Sequence, residues 1–123
     1  MTSFIETTAG RGRALTAASS ESVLARLREM VGAEFVLVDA ERVEPYAQDA
    51  VKEKFPPEAV VLPQSAQEIA AILRLANEAR FPVTARGGGV GYTGGAVPVQ
   101  GGIVIGTDRM NHIKEIKADD LYA

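Results

Sequence analysis

Apolar side chains recur at helical spacing at Val23, Leu24, Leu27, Met30 and Val31, with Ser20 ahead of them and Gly32 just behind. A serine N-cap and a glycine stop bracket the run, which predicts a first helix. EFVLV at 34–38 reads as a short strand or extended run. DAERVEPYAQDA, after it, reads as a helical turn that Pro45 begins or interrupts. Lys52 to Pro57 is a polar connector closed by the Pro56-Pro57 pair, a firm break.

From Glu58 the pattern sharpens. AVVLP at 59–63 is a β-branched run ended by a proline, hence a strand. Ser65 and Glu68 have capping-box spacing, in which each side chain satisfies a free amide at a helix start. Ile69, Ile72, Leu73, Ala76 and Ala79 are predicted to line one face of that helix, which Pro82 stops. VTA at 83–85 and GIVIGT at 102–107 read as two further strands around a glycine-rich segment. Strand, capped helix, strand, loop and strand predict an α/β or an α+β layer, the latter a small sheet flanked by helices, with the loop at a strand's carboxyl end. ADDLYA at 118–123 reads as a turn and the opening of another strand, so a fragment is expected.

Composition narrows the class. The chain has 123 residues, 46% of them hydrophobic, and a formal net charge of −3. That acidic balance argues against a general nucleic-acid binder. No apolar run reaches the length of a transmembrane segment, and the first residues lack the apolar core of a secretory signal. Arg11 and Arg13 among small and hydroxylated residues are a transit-peptide trait that Glu6 opposes. A disordered leader over 1–19 and cytoplasmic residence are the expectations. With no cysteine, thiolate metal sites and cysteine nucleophiles are excluded.

The segment 86–102, RGGGVGYTGGAVPVQGG, holds eight of the twelve glycines, and Arg86 is its one charged residue. No carboxylate occurs between Glu78 and Asp108. Glycine amides can turn toward a bound anion with no Cβ in the way, and Arg86 is expected to add a positive charge at the loop's entrance. A flexible linker would be richer in serine and charge; this segment carries Val90, Tyr92, Ala96, Val97 and Val99. Phosphate binding is therefore the better reading. Gly89-x-Gly91-x-x-Gly94 matches the dinucleotide fingerprint literally, but that pattern needs a helix at its third glycine. Gly95, Pro98, Gly101 and Gly102 leave no room for one, and the missing crossover helix likewise undoes Asp108 as a ribose ligand. No Gly-Lys-Ser/Thr follows, so a Walker loop is excluded too.

Over about residues 46–117 the chain resembles the PCMH-type FAD-binding domain of FAD-linked oxidases. That family includes the glycolate oxidase D-subunit and the D-lactate and D-2-hydroxyglutarate dehydrogenases. The motifs that carry the resemblance follow in order: Tyr46 and Asp49; Ala59-Val60-Val61-x-Pro63; the Ser65 helix; Pro82-Val83-x-x-Arg86-Gly87-Gly88-Gly89; Gly94-Gly95-Ala96-x-Pro98; Gly101-Gly102-Ile103-Val104; and Arg109-Met110-Asn111. The resemblance implies that Arg86, Gly87, Gly88, Gly89, Val90 and Gly91 wrap the FAD pyrophosphate through main-chain amides. Gly94 and Gly95 would lie further along, toward the flavin. Val90 stands where the family often has threonine or serine, and no histidine occupies the loop, so non-covalent FAD is implied.

Domain organisation is then expected as a leader at 1–19, a helical extension at 20–54, and the first part of the flavin domain at 55–123. The whole protein would oxidise a small D-2-hydroxy acid such as glycolate or D-lactate. This segment would carry no catalytic residue and no metal site, and would need the remainder of the flavoenzyme or a complementing subunit. The alternative is a truncated, non-catalytic module with an interaction role. His112, Asp108, Asp119 and Asp120 read as surface residues, and Asn111 as a turn or strand-end residue. Tyr92 is open between stacking near the flavin and packing beneath the loop. Tyr46 and Asp49 are expected to brace the loop from below, with Asp49 accepting from a buried amide.

Overall fold

The computed structural model describes residues 15–51 and 53–123. Most of the leader expected at 1–19 lies outside the described residues. Helix α1 (Glu21–Val31) starts at Ser20, whose hydroxyl accepts from the Val23 amide, and ends at Gly32 with φ 98°. It buries Val23, Leu24, Leu27 and Val31. The strand expected at 34–38 is shorter: Ala33–Phe35 form a 3-10 turn, and only Val36–Leu37 pair as β1. A short α2 (Ala40–Val43) runs into a 3-10 turn at Glu44–Tyr46, with Pro45 at its start, where a missing N–H costs nothing.

Strand β2 (Ala59–Val61) is buried throughout. Helix α3 (Ala66–Ala79) follows, its Glu68 amide donating to the Ser65 hydroxyl at 3.2 Å. The Glu68 carboxylate reaches back to the Gln64 amide at 2.7 Å, one residue before the position a standard capping box uses. The helix buries Ile72, Leu75 and Ala76, whereas Leu73 is 44% exposed. Ile69 and Ala79 of the expected face pack partly buried against the core, and only Leu73 departs from it, its place taken by Leu75, which joins the cluster with α1 and the sheet.

Strands β3 (Val83–Arg86) and β4 (Ile103–Gly106) complete a sheet of order β1-β2-β4-β3. β1 is antiparallel to β2, while β2 and β3 both run parallel to β4. One face packs on α1 and α3 through Leu27, Ile72, Leu75, Ile103 and Ile105. The other is a smaller cluster of Leu37, Val43, Val60 and Val104, with Tyr46 and Leu62 against it. Segment 20–54 therefore supplies both an edge strand and the cover for the second face.

Parallel neighbours cannot be joined by a hairpin. Residues 87–102 must travel back along the sheet from the end of β3 to the start of β4, and they do so with no helix or strand. The return ends at Gly102, whose amide donates to Glu58 Oε2 at 2.6 Å and whose carbonyl accepts from the Glu58 amide at 2.9 Å. The same carboxylate takes the amide and hydroxyl of Thr16, tying the start of the described chain to the sheet.

Burial alone would raise the Glu58 carboxyl, but the hydrogen bonds from Thr16 and Gly102 outweigh it and hold the group below 4.5. A carboxyl lowered on folding stabilises the native state above its unfolded value and loses that contribution as pH falls through the folded value. Thermal stability is therefore expected to drop on acidification below about pH 4.5. Glu58→Gln should flatten that part of the profile, and an unchanged profile in the variant would show that Glu58 is not its source.

Candidate functional site: the glycine loop

The loop leaves β3 at Arg86, and its inner side is held by residues 45–51. Arg86 is only 8% exposed. Its Nη1 donates to the Gln48 carbonyl at 2.8 Å and the Ala96 carbonyl at 3.4 Å, and its Nη2 donates to the Pro45 carbonyl at 3.0 Å. The sequence reading has this charge at the loop's entrance; in the structure the guanidinium is turned inward, behind the loop. Three carbonyls, two of them some forty residues upstream, draw it there. Gly89 lies directly over it with φ +68°, and a Cβ at that position would come within 2.1 Å of Nη2.

Asp49, 7% exposed, does what was expected of it. Its Oδ2 accepts from the Gly94 amide at 3.0 Å and its Oδ1 from the Val51 amide at 2.9 Å. The Ala50 amide donates to the Gly91 carbonyl at 3.2 Å. Tyr46 lies under the Arg86 guanidinium, 5.6 Å from ring centroid to charge, and gives its hydroxyl to Asp108 Oδ1 at 3.1 Å. Burial and the Asp108 carboxylate push that phenol up, with Arg86 pulling the other way.

The outer side of the loop contrasts with this. None of the amides of Gly87, Gly88, Gly89, Val90 and Gly91 donates to another group among the described residues. Sheet pairing ends at Arg86, so the ladder does not consume them. Added Cβ atoms at Gly87 and Gly91 would meet nothing within 4 Å, and one at Gly88 only Val90 Cγ2 at 3.9 Å. The chain's own packing thus gives no reason for glycine at these positions. What they keep clear is the approach to a row of free donors, the requirement for binding a diphosphate through main-chain N–H groups. The residues fit an FAD pyrophosphate on this ground.

Gly94 has its amide taken by Asp49, and Gly95 is exposed beside it. Tyr92 is 79% exposed on the rim of a depression of about 230 Å³ bounded also by Val51, Phe55 and Val97, so it does not pack beneath the loop. No helix follows Gly94, which leaves the dinucleotide fingerprint without its context. His112, Asp119 and Asp120 are exposed, and no acidic or histidine group able to hold a metal occurs among the described residues. Arg109 is structural: its guanidinium stacks 3.5 Å from the Phe35 ring centroid and donates to the Leu62 carbonyl at 2.9 Å.

Two features escaped sequence reasoning: the inward turn of Arg86 and the Glu58 clasp. The acceptors in the first case are main-chain carbonyls, which carry no residue signature. In the second, the partners Thr16 and Gly102 are far apart in sequence, and only the fold brings them together.

Residues 57–123 match the family described as FAD binding domain. The chain belongs to that family. Over 64 residues it is 48% identical to a D-lactate dehydrogenase of Archaeoglobus fulgidus, a match covering 52% of this chain and 14% of that protein. Over 96 residues it is 36% identical to the glycolate oxidase subunit GlcD of Escherichia coli strain K12, covering 77% of this chain and 19% of that subunit. Among solved structures it resembles p-cresol methylhydroxylase with substrate bound, at a TM-score of 0.71 and 25% identity over 84% of this chain and 21% of that one. The PCMH-type fold is thereby established, with FAD as the cofactor. The chain spans only about a fifth or less of the length of these relatives. Among the described residues no helix is long and apolar enough to cross a membrane.

Proposed function

We propose that this chain seats the FAD pyrophosphate, through the amides of residues 87–91, in an enzyme that oxidises a small D-2-hydroxy acid of the glycolate or D-lactate type. The observation that carries the reading is the set of glycines at 87, 88 and 91, which guard donors the chain does not use and which its own packing does not require. Gly94 and Gly95 lie further along the same groove, toward the flavin. FAD is held non-covalently, since the loop offers no histidine. Bound flavin supplies the two-electron chemistry; the chain's own residues supply position. The substrate class is supported by the names of the relatives, D-lactate dehydrogenase and a glycolate oxidase subunit. Ile113, Ile116 and Leu121, exposed by 69% or more, suit packing against a remaining part of the flavoenzyme or a complementing subunit.

Flavin fluorescence on titration into the chain tests the seat. FAD should bind and be displaced by ADP, whereas riboflavin, which lacks the diphosphate, should not bind. Equal binding of riboflavin would remove the pyrophosphate from the account. Joined to its complement, the assembly should show its flavin bleached anaerobically by glycolate or D-lactate and not by L-lactate. A stable, colourless complex would favour the interaction-module reading.

A further inference from the structure

The inner side of the loop carries an inference that rests on the pyrophosphate reading and goes beyond it. We propose that Arg86 and Asp49 are positioning residues that clamp the glycine loop against residues 45–51, fixing its curvature before any nucleotide arrives, and that Arg86 does this without touching the nucleotide itself. Residues 86, 91, 94 and 96 are bonded to segment 45–51 or to the guanidinium and Gly89 lies against the latter, while 87, 88 and 90 are exposed and make no bond to either. Arg86 secures the near end to the Pro45 and Gln48 carbonyls and the far end at Ala96; Asp49 secures Gly94, and Ala50 secures Gly91.

The chemistry of the clamp explains the residue types. Carbonyls from three points can be gathered by one planar fork of donors, and a lysine ammonium cannot reproduce that geometry. All the acceptors are neutral, and among the described residues Arg86 makes no ion pair. Its charge is therefore not cancelled, and it sits immediately behind Gly89. A bound anion in front of the loop would feel that charge through the backbone, with the guanidinium's hydrogen bonds left in place. Asp49 presents the opposite case. Electrostatics alone makes a carboxylate beside an anion site unfavourable, so its presence there calls for a structural duty, and its two amide bonds supply one.

Arg86→Lys and Asp49→Asn, made in the full chain, separate the clamp from its rival, a direct phosphate contact. Arg86→Lys keeps the charge and loses the fork. Asp49→Asn removes a negative charge and, with a single acceptor oxygen left, loses the acceptor for one of the Val51 and Gly94 amides. With no nucleotide present, both variants should shift the NMR resonances of the Gly87–Gly91 amides and speed their hydrogen exchange. Both should weaken FAD and inorganic pyrophosphate at least tenfold, although Asp49→Asn improves the local charge for an anion. Unmoved apo resonances with Arg86→Lys binding within twofold of the parent would overturn the clamp, as would tighter binding by Asp49→Asn. An FAD complex in which the guanidinium has left the Pro45 and Gln48 carbonyls for phosphate oxygens would do the same. Should Arg86→Lys fail to fold, Asp49→Asn decides alone. Should the parent chain bind neither ligand, the pyrophosphate reading falls, and the apo resonances still judge the clamp.

Discussion

Gly88→Asp is expected to leave the chain folded and to abolish its retention of FAD. The position is exposed, and a Cβ there meets only Val90 Cγ2 at 3.9 Å, so the native packing has room for the side chain. The added carboxylate would stand where a doubly charged diphosphate approaches the free amides. At an effective dielectric of about 20, two like unit charges about 5 Å apart repel by roughly 3 kcal/mol, or about a hundredfold in affinity. Thermal unfolding should shift by no more than about 2 °C, since surface substitutions away from special features usually cost within about 0.5 kcal/mol. Gly88→Ala adds bulk without charge and should fall between the two. The measurement is flavin content after purification, beside a melting curve. A Gly88→Asp chain that keeps its flavin would mean that the diphosphate lies elsewhere.

Gly102→Ala is expected to do the reverse, damaging the fold before the site. Gly102 has φ +71°, and a Cβ would lie 2.0 Å from the Pro82 carbonyl oxygen. That carbonyl accepts from the Ile103 amide at 3.0 Å, the bond that starts the β3–β4 pairing, and the Gly102 amide is held by Glu58. Neither backbone can withdraw without losing a bond. A strained backbone conformation combined with an overlap in a buried junction should cost about 3 kcal/mol or more. In a chain of this length that corresponds to a fall in Tm of roughly 10 °C or more. A melting temperature within a few degrees of the parent would show that the turn can relax.

The two substitutions divide the glycines into two kinds, a division the sequence does not display. In RGGGVGYTGGAVPVQGG each glycine looks alike, and their clustering was enough to raise phosphate binding and reject a linker. Only the fold separates Gly89 and Gly102, demanded by Arg86 and Pro82, from Gly87, Gly88 and Gly91, which nothing inside the chain demands. Local signals are legible in the sequence because their partners lie within a few residues. The serine caps at Ser20 and Ser65, the β-branched run at 59–61 and the proline at 82 act over a few residues.

Errors arose where tertiary partners decide. EFVLV shrank to two paired residues because β2 offers it a register only at Val36 and Leu37. On α3 one residue of the expected face departs, because Leu73 and Leu75 are both apolar and packing in the core shared with α1 selects Leu75. The charge of Arg86 suggests an anion at the loop's entrance, whereas the carbonyls of Pro45 and Gln48 claim it.

Amide-resolved NMR of the chain, titrated with FAD and with inorganic pyrophosphate, bears most directly on the role of the loop. The resonances of Gly87, Gly88, Gly89, Val90 and Gly91 should move downfield together with both ligands, while those of Gly94 and Val51, already bonded to Asp49, should move far less. Binding that shifts other amides and leaves these five where they were would contradict the seat proposed for the diphosphate.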